Sequence, residues 1–193
     1  MKKNEYLDIV LNRASMITKL TNDDLEYLKG ILEYKEYKKG YLITDYNEIE
    51  NYQHIVVKGY LRLYHIVNGR EFTVDFYKKP ELCYSMESFI TRTPSKFCLA
   101  ACTDVVTFRV SYANLHKAMK SNKSFERLGR IIAEHQYVRR INKQIDCNKY
   151  STRERLDKII KDWPNIMKDI PQHKIATYLG IAPESLSRIK NNM

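Results

Sequence analysis

The side chains best suited to chemistry lie near the carboxyl end, in the stretch QHKIATYLGIAPESLSRIK, residues 172–190. Arg188 carries a planar fork of donors that matches the O6 and N7 acceptors of guanine, and Glu184 can accept from the amino group of cytosine. Ser185 and Ser187 add short hydroxyls for bases or phosphates. His173, Lys174, Thr177 and Lys190 are types that anchor a phosphate backbone. Catalysis is not expected from any part of the chain. A cupin-like metal centre, the enzyme alternative, needs two or three histidines and a carboxylate. The region that reads as strand offers only His54 and His65, on separate segments and with no H-x-H pair. No catalytic or metal site is therefore assigned.

Those side chains need two short helices to hold them. Ile175, Ala176 and Leu179 share one helical face. Gly180 follows, a residue that closes a helix in the left-handed conformation. Pro183 suits a first helical position, where its missing N–H costs nothing. Glu184 then meets the positive end of the helix dipole. Leu186 and Ile189 share the inner face of the second helix, leaving Glu184, Ser185, Ser187 and Arg188 outward. The pattern is a helix-turn-helix. A helical corner that binds a protein partner, as in an adaptor, is the alternative.

The hairpin needs its own support. Ser151 and Glu154 have the spacing of a capping box that opens a helix. Leu156, Ile159, Ile160 and Trp163 line its inner face, and Pro164 ends it. Residues 148–193 thus read as one compact helical module. They hold 9 of the basic and 5 of the acidic residues in a chain whose net charge is +10. A basic excess of this kind suits a phosphate-binding face.

Upstream the texture differs. Residues 1 to about 32 read as helix, with Thr21 or Asn22 as cap. From Tyr34 to Phe108 short alternating segments are punctuated by Lys58-Gly59 and Asn68-Gly69, a hairpin signal. Leu61 and Leu63 alternate with Tyr60, Arg62 and Tyr64; Phe72, Val74 and Phe76 alternate with Thr73 and Asp75. Many short strands suggest a sandwich or jelly roll. Residues 121–147 contain no proline. Leu128, Ile131, His135, Val138, Asn142 and Ile145 are spaced alternately by three and four, a heptad seam that predicts a homodimer with Asn142 fixing register.

This order of parts resembles the Crp/Fnr family of bacterial transcription regulators. The E-[ST]-x-x-R spacing of Glu184, Ser185 and Arg188 is similar to that family's recognition-helix pattern, and VKG and KKGYLI to its glycine turns. The resemblance implies an α+β protein. It would have a cyclic-nucleotide-binding-like β-roll sensor domain over residues 1–120, a dimerisation helix over 121–147 and a helix-turn-helix DNA-binding domain over 148–193. Base edges would be read by Glu184, Ser185 and Arg188. The implied partners are double-stranded DNA, a second copy of the chain, RNA polymerase and an unidentified small-molecule effector.

Two departures narrow that expectation. The family's phosphate cassette runs G-E-L and then, some ten residues on, Arg-Ser or Arg-Thr. Here PELCYSMESFITRTPSKFCLAA has no glycine, and Ser95 falls where the arginine should be. Cyclic AMP is therefore not expected as a ligand, and no cofactor is assigned. The N-terminal cysteine cluster of the oxygen-sensing branch is also missing, since the first cysteine is Cys83. No run of eighteen apolar residues exists to span a membrane. MKKNEYLDIV lacks the apolar stretch of a secretory signal. A cytoplasmic location is expected, with Cys83, Cys98, Cys102 and Cys147 as thiols.

Overall fold

The computed structural model describes residues 2–191. Met1 and the last two residues of the expected C-terminal module, Asn192 and Met193, lie outside them. Two helices, α1 (Lys2–Ile17) and α2 (Asn22–Ile31), precede the strands. Thr21 caps α2 through a capping box with Asp24. Strands β1 (Glu33–Tyr37), β2 (Leu42–Thr44), β3 (Tyr52–Lys58), β4 (Leu61–Val67) and β5 (Arg70–Tyr77) follow. Then come β6 (Leu82–Cys83), the short helix α3 (Met86–Thr91), β7 (Cys98–Ala101) and β8 (Val105–Ser111).

The strands form two four-stranded antiparallel sheets, ordered β1-β8-β3-β6 and β2-β7-β4-β5. Sequence neighbours are mostly split between the sheets, which wraps the chain into a roll. Its interior holds Val56, Leu61, Leu63, Leu99 and Val105, all essentially buried. The β3–β8 sheet also buries its outer face, where Val57, Val106 and Phe108 pack on Val10 of α1. Gly59 turns β3 into β4 at a φ of +78°, and a Cβ there would lie 2.4 Å from the Asp104 carbonyl oxygen. Only glycine fits both demands.

Helix α4 (Tyr112–Ser121) leads to the long α5 (Lys123–Lys149). Phe125 and Leu128 of α5 are buried with Ala14 and Ala118, so its first turns belong to the N-terminal core. Of the residues expected to form a dimer seam, only Leu128 is buried, and His135, Val138, Asn142 and Ile145 are exposed. Leu128 is in the core, while His135 and Asn142 line a cleft between α5 and the C-terminal helices. Tyr137, Val138, Ile141 and Ile145 are the large exposed apolar side chains of α5; Val138 is 53% and Ile145 51% exposed.

The C-terminal module comprises α6 (Thr152–Asp162), α7 (Ile166–Asp169), α8 (Gln172–Leu179) and α9 (Pro183–Asn191). The capping box of Ser151 and Glu154 opens α6. Leu156, Ile166, Ile170, Ile175, Ala176, Leu179 and Leu186 make its core, with Trp163 capping the end of α6. That core is not closed on itself. Phe76 of β5 and Cys102 complete it from the roll.

Candidate nucleic-acid interface

The recognition candidate is α9, and its neighbour α8 sets its pose. Gly180 ends α8 in the left-handed conformation at φ +72°, with its N–H directed to the Ala176 and Thr177 carbonyls. The N–H groups of Ser185 and Leu186 donate to the Ala182 carbonyl, starting the new helix around Pro183. Leu186 is fully buried against α8 and α6. This burial rotates the opposite face of α9 outward. Glu184, Ser187 and Arg188 are exposed, and Ser185 and Lys190 are half-buried. Arg153 of α6 donates to the Ile189 carbonyl at 3.3 Å and so ties the far end of α9 to the module. Arg155 ties the end of α8 in the same way, donating to the Leu179 carbonyl at 3.1 Å.

Of the residues expected to hold a phosphate backbone, His173 is exposed and Lys174 half-exposed at the start of α8. Thr177 is placed differently. Its hydroxyl lies 2.6 Å from that of Thr73 on β5 and donates to, or shares, the Lys174 carbonyl at 2.9 Å. In this conformation the Thr177 hydroxyl therefore engages the roll. Thr73 in turn accepts from Arg62 Nε at 2.8 Å. Arg62 is buried, lies flat on Tyr64 and pairs with Glu71 at 2.5 Å. A chain of polar contacts therefore runs from the roll to the first helix of the hairpin.

A second set of contacts closes the same junction. The ring of Phe76 meets Trp163 edge-on at 6.4 Å and Tyr178 at 5.4 Å. Lys78 donates to the Asp162 carbonyl at 2.6 Å. Between β5, α5 and α8 lies a cleft of about 670 Å³. Buried Asp75 holds Arg139 at 3.2 Å and Lys143 at 3.5 Å there, and Lys143 sits 3.9 Å above the Tyr178 ring. Burial pulls the Lys143 ammonium down to about 8, and Asp75 only partly restores it. Burial likewise raises the Tyr178 phenol, with Asp75 adding to the effect. None of these contacts carried a local sequence signal. Thr73, Asp75 and Phe76 read as ordinary members of an alternating strand, and a bulge between Leu63 and Tyr64 of the partner register turns them toward the helices.

The segment expected to correspond to a phosphate cassette, residues 80–101, runs from β6 through α3 into β7. Ser95 is buried and donates to the Ser85 hydroxyl at 2.8 Å. Arg92, three residues earlier, ends α3 with a φ of +57°. It stacks 4.2 Å over Tyr112 and donates to the Glu50 carbonyl at 2.7 Å. Its guanidinium braces the outside of the roll. Buried Glu50 accepts from Thr44 and from the Ser85 and Tyr52 N–H groups, and burial raises its carboxyl. Carboxylate, hydroxyls and backbone thus satisfy one another there, with the Arg92 guanidinium on the Glu50 backbone carbonyl. Among the described residues no group of three or more His, Cys, Asp and Glu side chains could hold a metal ion, and no helix is long and apolar enough to cross a membrane.

Comparison with known proteins bears on this architecture. Residues 34–122 match the family described as "Cyclic nucleotide-binding domain". No curated protein sequence matches the chain. Among solved structures, FixK2 from Bradyrhizobium japonicum is similar with a TM-score of 0.69 at 20% identity, over 84% of each chain. The c-di-GMP responsive global regulator CLP from Xanthomonas campestris gives 0.66 at 14% identity, over 87% of this chain and 89% of its own. The catabolite activator protein of Thermus thermophilus gives 0.57 at 15% identity, over 91% and 84%. The chain therefore has a Crp/Fnr-like fold: a cyclic-nucleotide-binding-like β-roll, a long helix and a helical C-terminal module.

Proposed function

We propose that the chain is a sequence-specific DNA-binding transcription regulator of Crp/Fnr type that acts as a homodimer and without cyclic AMP. One observation carries the reading. Leu186 pins α9 to its own module while Glu184 and Arg188, the groups able to read base edges, stay exposed. A helix so held can enter a major groove without unfolding anything. The solved neighbours named above support the regulatory reading by their fold.

The dimer reading is supported by the outward ridge of Tyr137, Val138, Ile141 and Ile145, an apolar stripe that a second α5 would cover. Two recognition helices carried by such a pair would reach successive major grooves about 34 Å apart and read a near-palindrome. Independence from cyclic AMP is supported by Ser95, whose hydroxyl is engaged with Ser85 where a guanidinium would be needed for a cyclic phosphate. RNA polymerase is the partner such a regulator would act on.

The test is selection of bound fragments from a random duplex library by the purified protein, followed by light scattering of the free chain. A two-fold motif and a dimer mass support the proposal. Failure to enrich any sequence at low ionic strength overturns it and leaves the protein-adaptor reading.

A further inference from the structure

We propose that the trough between α1, α4, α5 and the outer face of the β3–β8 sheet binds a single-chain aliphatic anion such as a free medium-chain carboxylate. The trough encloses about 450 Å³, within the size range of small-molecule pockets. Its walls are apolar: Ile17 of α1, Ile31 of α2, Ile55 of β3, Leu115 and Met119 of α4, and Ile132 of α5. At Gly129 the last two helices approach so closely that a Cβ would lie 2.9 Å from the Met119 methyl carbon.

The charge around the trough has one sign to spare. Arg13, His116, His135, Arg139, Glu81 and Tyr84 are its ionisable members. Arg139 and Glu81 lie 3.8 Å apart, and Arg139 also reaches Asp75, so these groups offset one another. Arg13 is exposed and makes no ion pair among the described residues. His116 also borders a shallow surface hollow lined by Lys117 and Lys120, neither of which has an acidic partner among the described residues. Among the described residues, the unpaired cation that lines the trough itself is Arg13, which forms its lip, with Lys117 and Lys120 beyond His116 in the adjoining hollow. Hydrocarbon buried along the walls and a carboxylate held at the lip is the complementary ligand.

A second copy of the chain is the rival occupant. The apolar side chains suited to a second copy, Tyr137, Val138, Ile141 and Ile145, do not line this trough. His135 and Arg139 line both the trough and the cleft against the C-terminal module, so an occupant bears on the helix that carries that module. The proposal does not depend on the DNA-binding reading.

Equilibrium dialysis of the full chain against radiolabelled decanoate tests it, with decyltrimethylammonium as a probe of equal chain and opposite head. We expect one saturable site per chain, about tenfold or more weaker for the cationic probe. Ala133→Trp, which fills the trough from an exposed position on α5, should weaken decanoate about tenfold while circular dichroism stays unchanged. The Arg13→Gln variant should weaken decanoate and leave decanol untouched. Unsaturable uptake, equal binding of both heads, or full affinity in Ala133→Trp overturns the proposal. So does a wild-type dimer that refuses decanoate and that Ala133→Trp converts to monomer, which would give the trough to the second copy.

Discussion

The hydroxyls of Thr73 and Thr177 lie 2.6 Å apart, joining a strand of the roll to the first helix of the hairpin across 104 residues of chain. Two hydroxyls and the Lys174 carbonyl share two protons, so either threonine donates to the other and the remaining proton goes to the carbonyl. Thr73→Val keeps the shape, removes the hydroxyl and leaves Arg62 Nε without its acceptor. The expected cost is about 1–3 kcal/mol, read from the midpoint of chemical denaturation. Because the two threonines act as one unit, Thr73→Val with Thr177→Val should cost less than the two single changes added. Additive costs would mean that the contact contributes nothing.

Phe76 completes the module's core from the roll side, and the chain has a single tryptophan, Trp163, at that contact. Phe76→Ala should destabilise by about 3–5 kcal/mol, as for other large cavities. It should also shift Trp163 fluorescence to longer wavelength at temperatures where the roll remains folded. An unshifted emission with lowered stability would place the loss in the roll alone.

Gly59 and Gly180 separate conformational strain from steric conflict. Gly180→Ala forces a left-handed alanine into open space and should cost about 1–2 kcal/mol. Gly59→Ala adds overlap with the Asp104 carbonyl to the same strain and should cost about 3–5 kcal/mol. Equal losses in denaturation experiments would show that the β3–β4 turn relaxes.

His54 is buried in the roll with no hydrogen-bond partner for either ring nitrogen among the described residues, and burial pushes its pKa down to about 3. The unfolded chain takes up a proton near pH 6.5 that the folded chain refuses. Stability should therefore be full above pH 6.5 and fall as pH drops from there toward 3. Between pH 6.5 and 5 the loss from this residue is about 2 kcal/mol. His54→Phe should flatten the urea midpoint over that window. Glu50, whose raised carboxyl works in the opposite direction at lower pH, stays in both proteins. An unchanged slope in His54→Phe would remove His54 as the cause.

Arg188→Ala, once an operator has been selected, should weaken its binding by about 1–3 kcal/mol and relax preference at one base pair of each half-site. Lys174→Ala should weaken all duplexes alike and reduce the dependence of binding on salt. Competition by single-base operator variants at two salt concentrations distinguishes them. A sequence-selective defect in Lys174→Ala would exchange the two roles.

Local patterns were sufficient for the elements and for the exposed face of α9. Ser151 and Glu154 form their capping box because the reach from cap to third residue is a property of three residues alone. Gly180 and Pro183 punctuate the hairpin for equally local reasons. A strand with period two and a helix with period 3.6 are visible in any sequence that has them.

What lies beyond that reach is which of two apolar faces meets which neighbour. A heptad spacing marks both Leu128 and Ile145, yet one is in the core and the other half in water. Phe76 alternates like its neighbours but joins the core of a module that begins some 75 residues later. Nothing in the local pattern around Thr177 announces its contact with Thr73 of β5. The sequence by itself determined the secondary structure, the order of parts and the outward side chains of α9, because these depend on spacing within a turn or two. Only the tertiary structure decided how the module docks on the roll and which side of α5 is left bare. Burial depends on long-range contacts, and no local period encodes those partners.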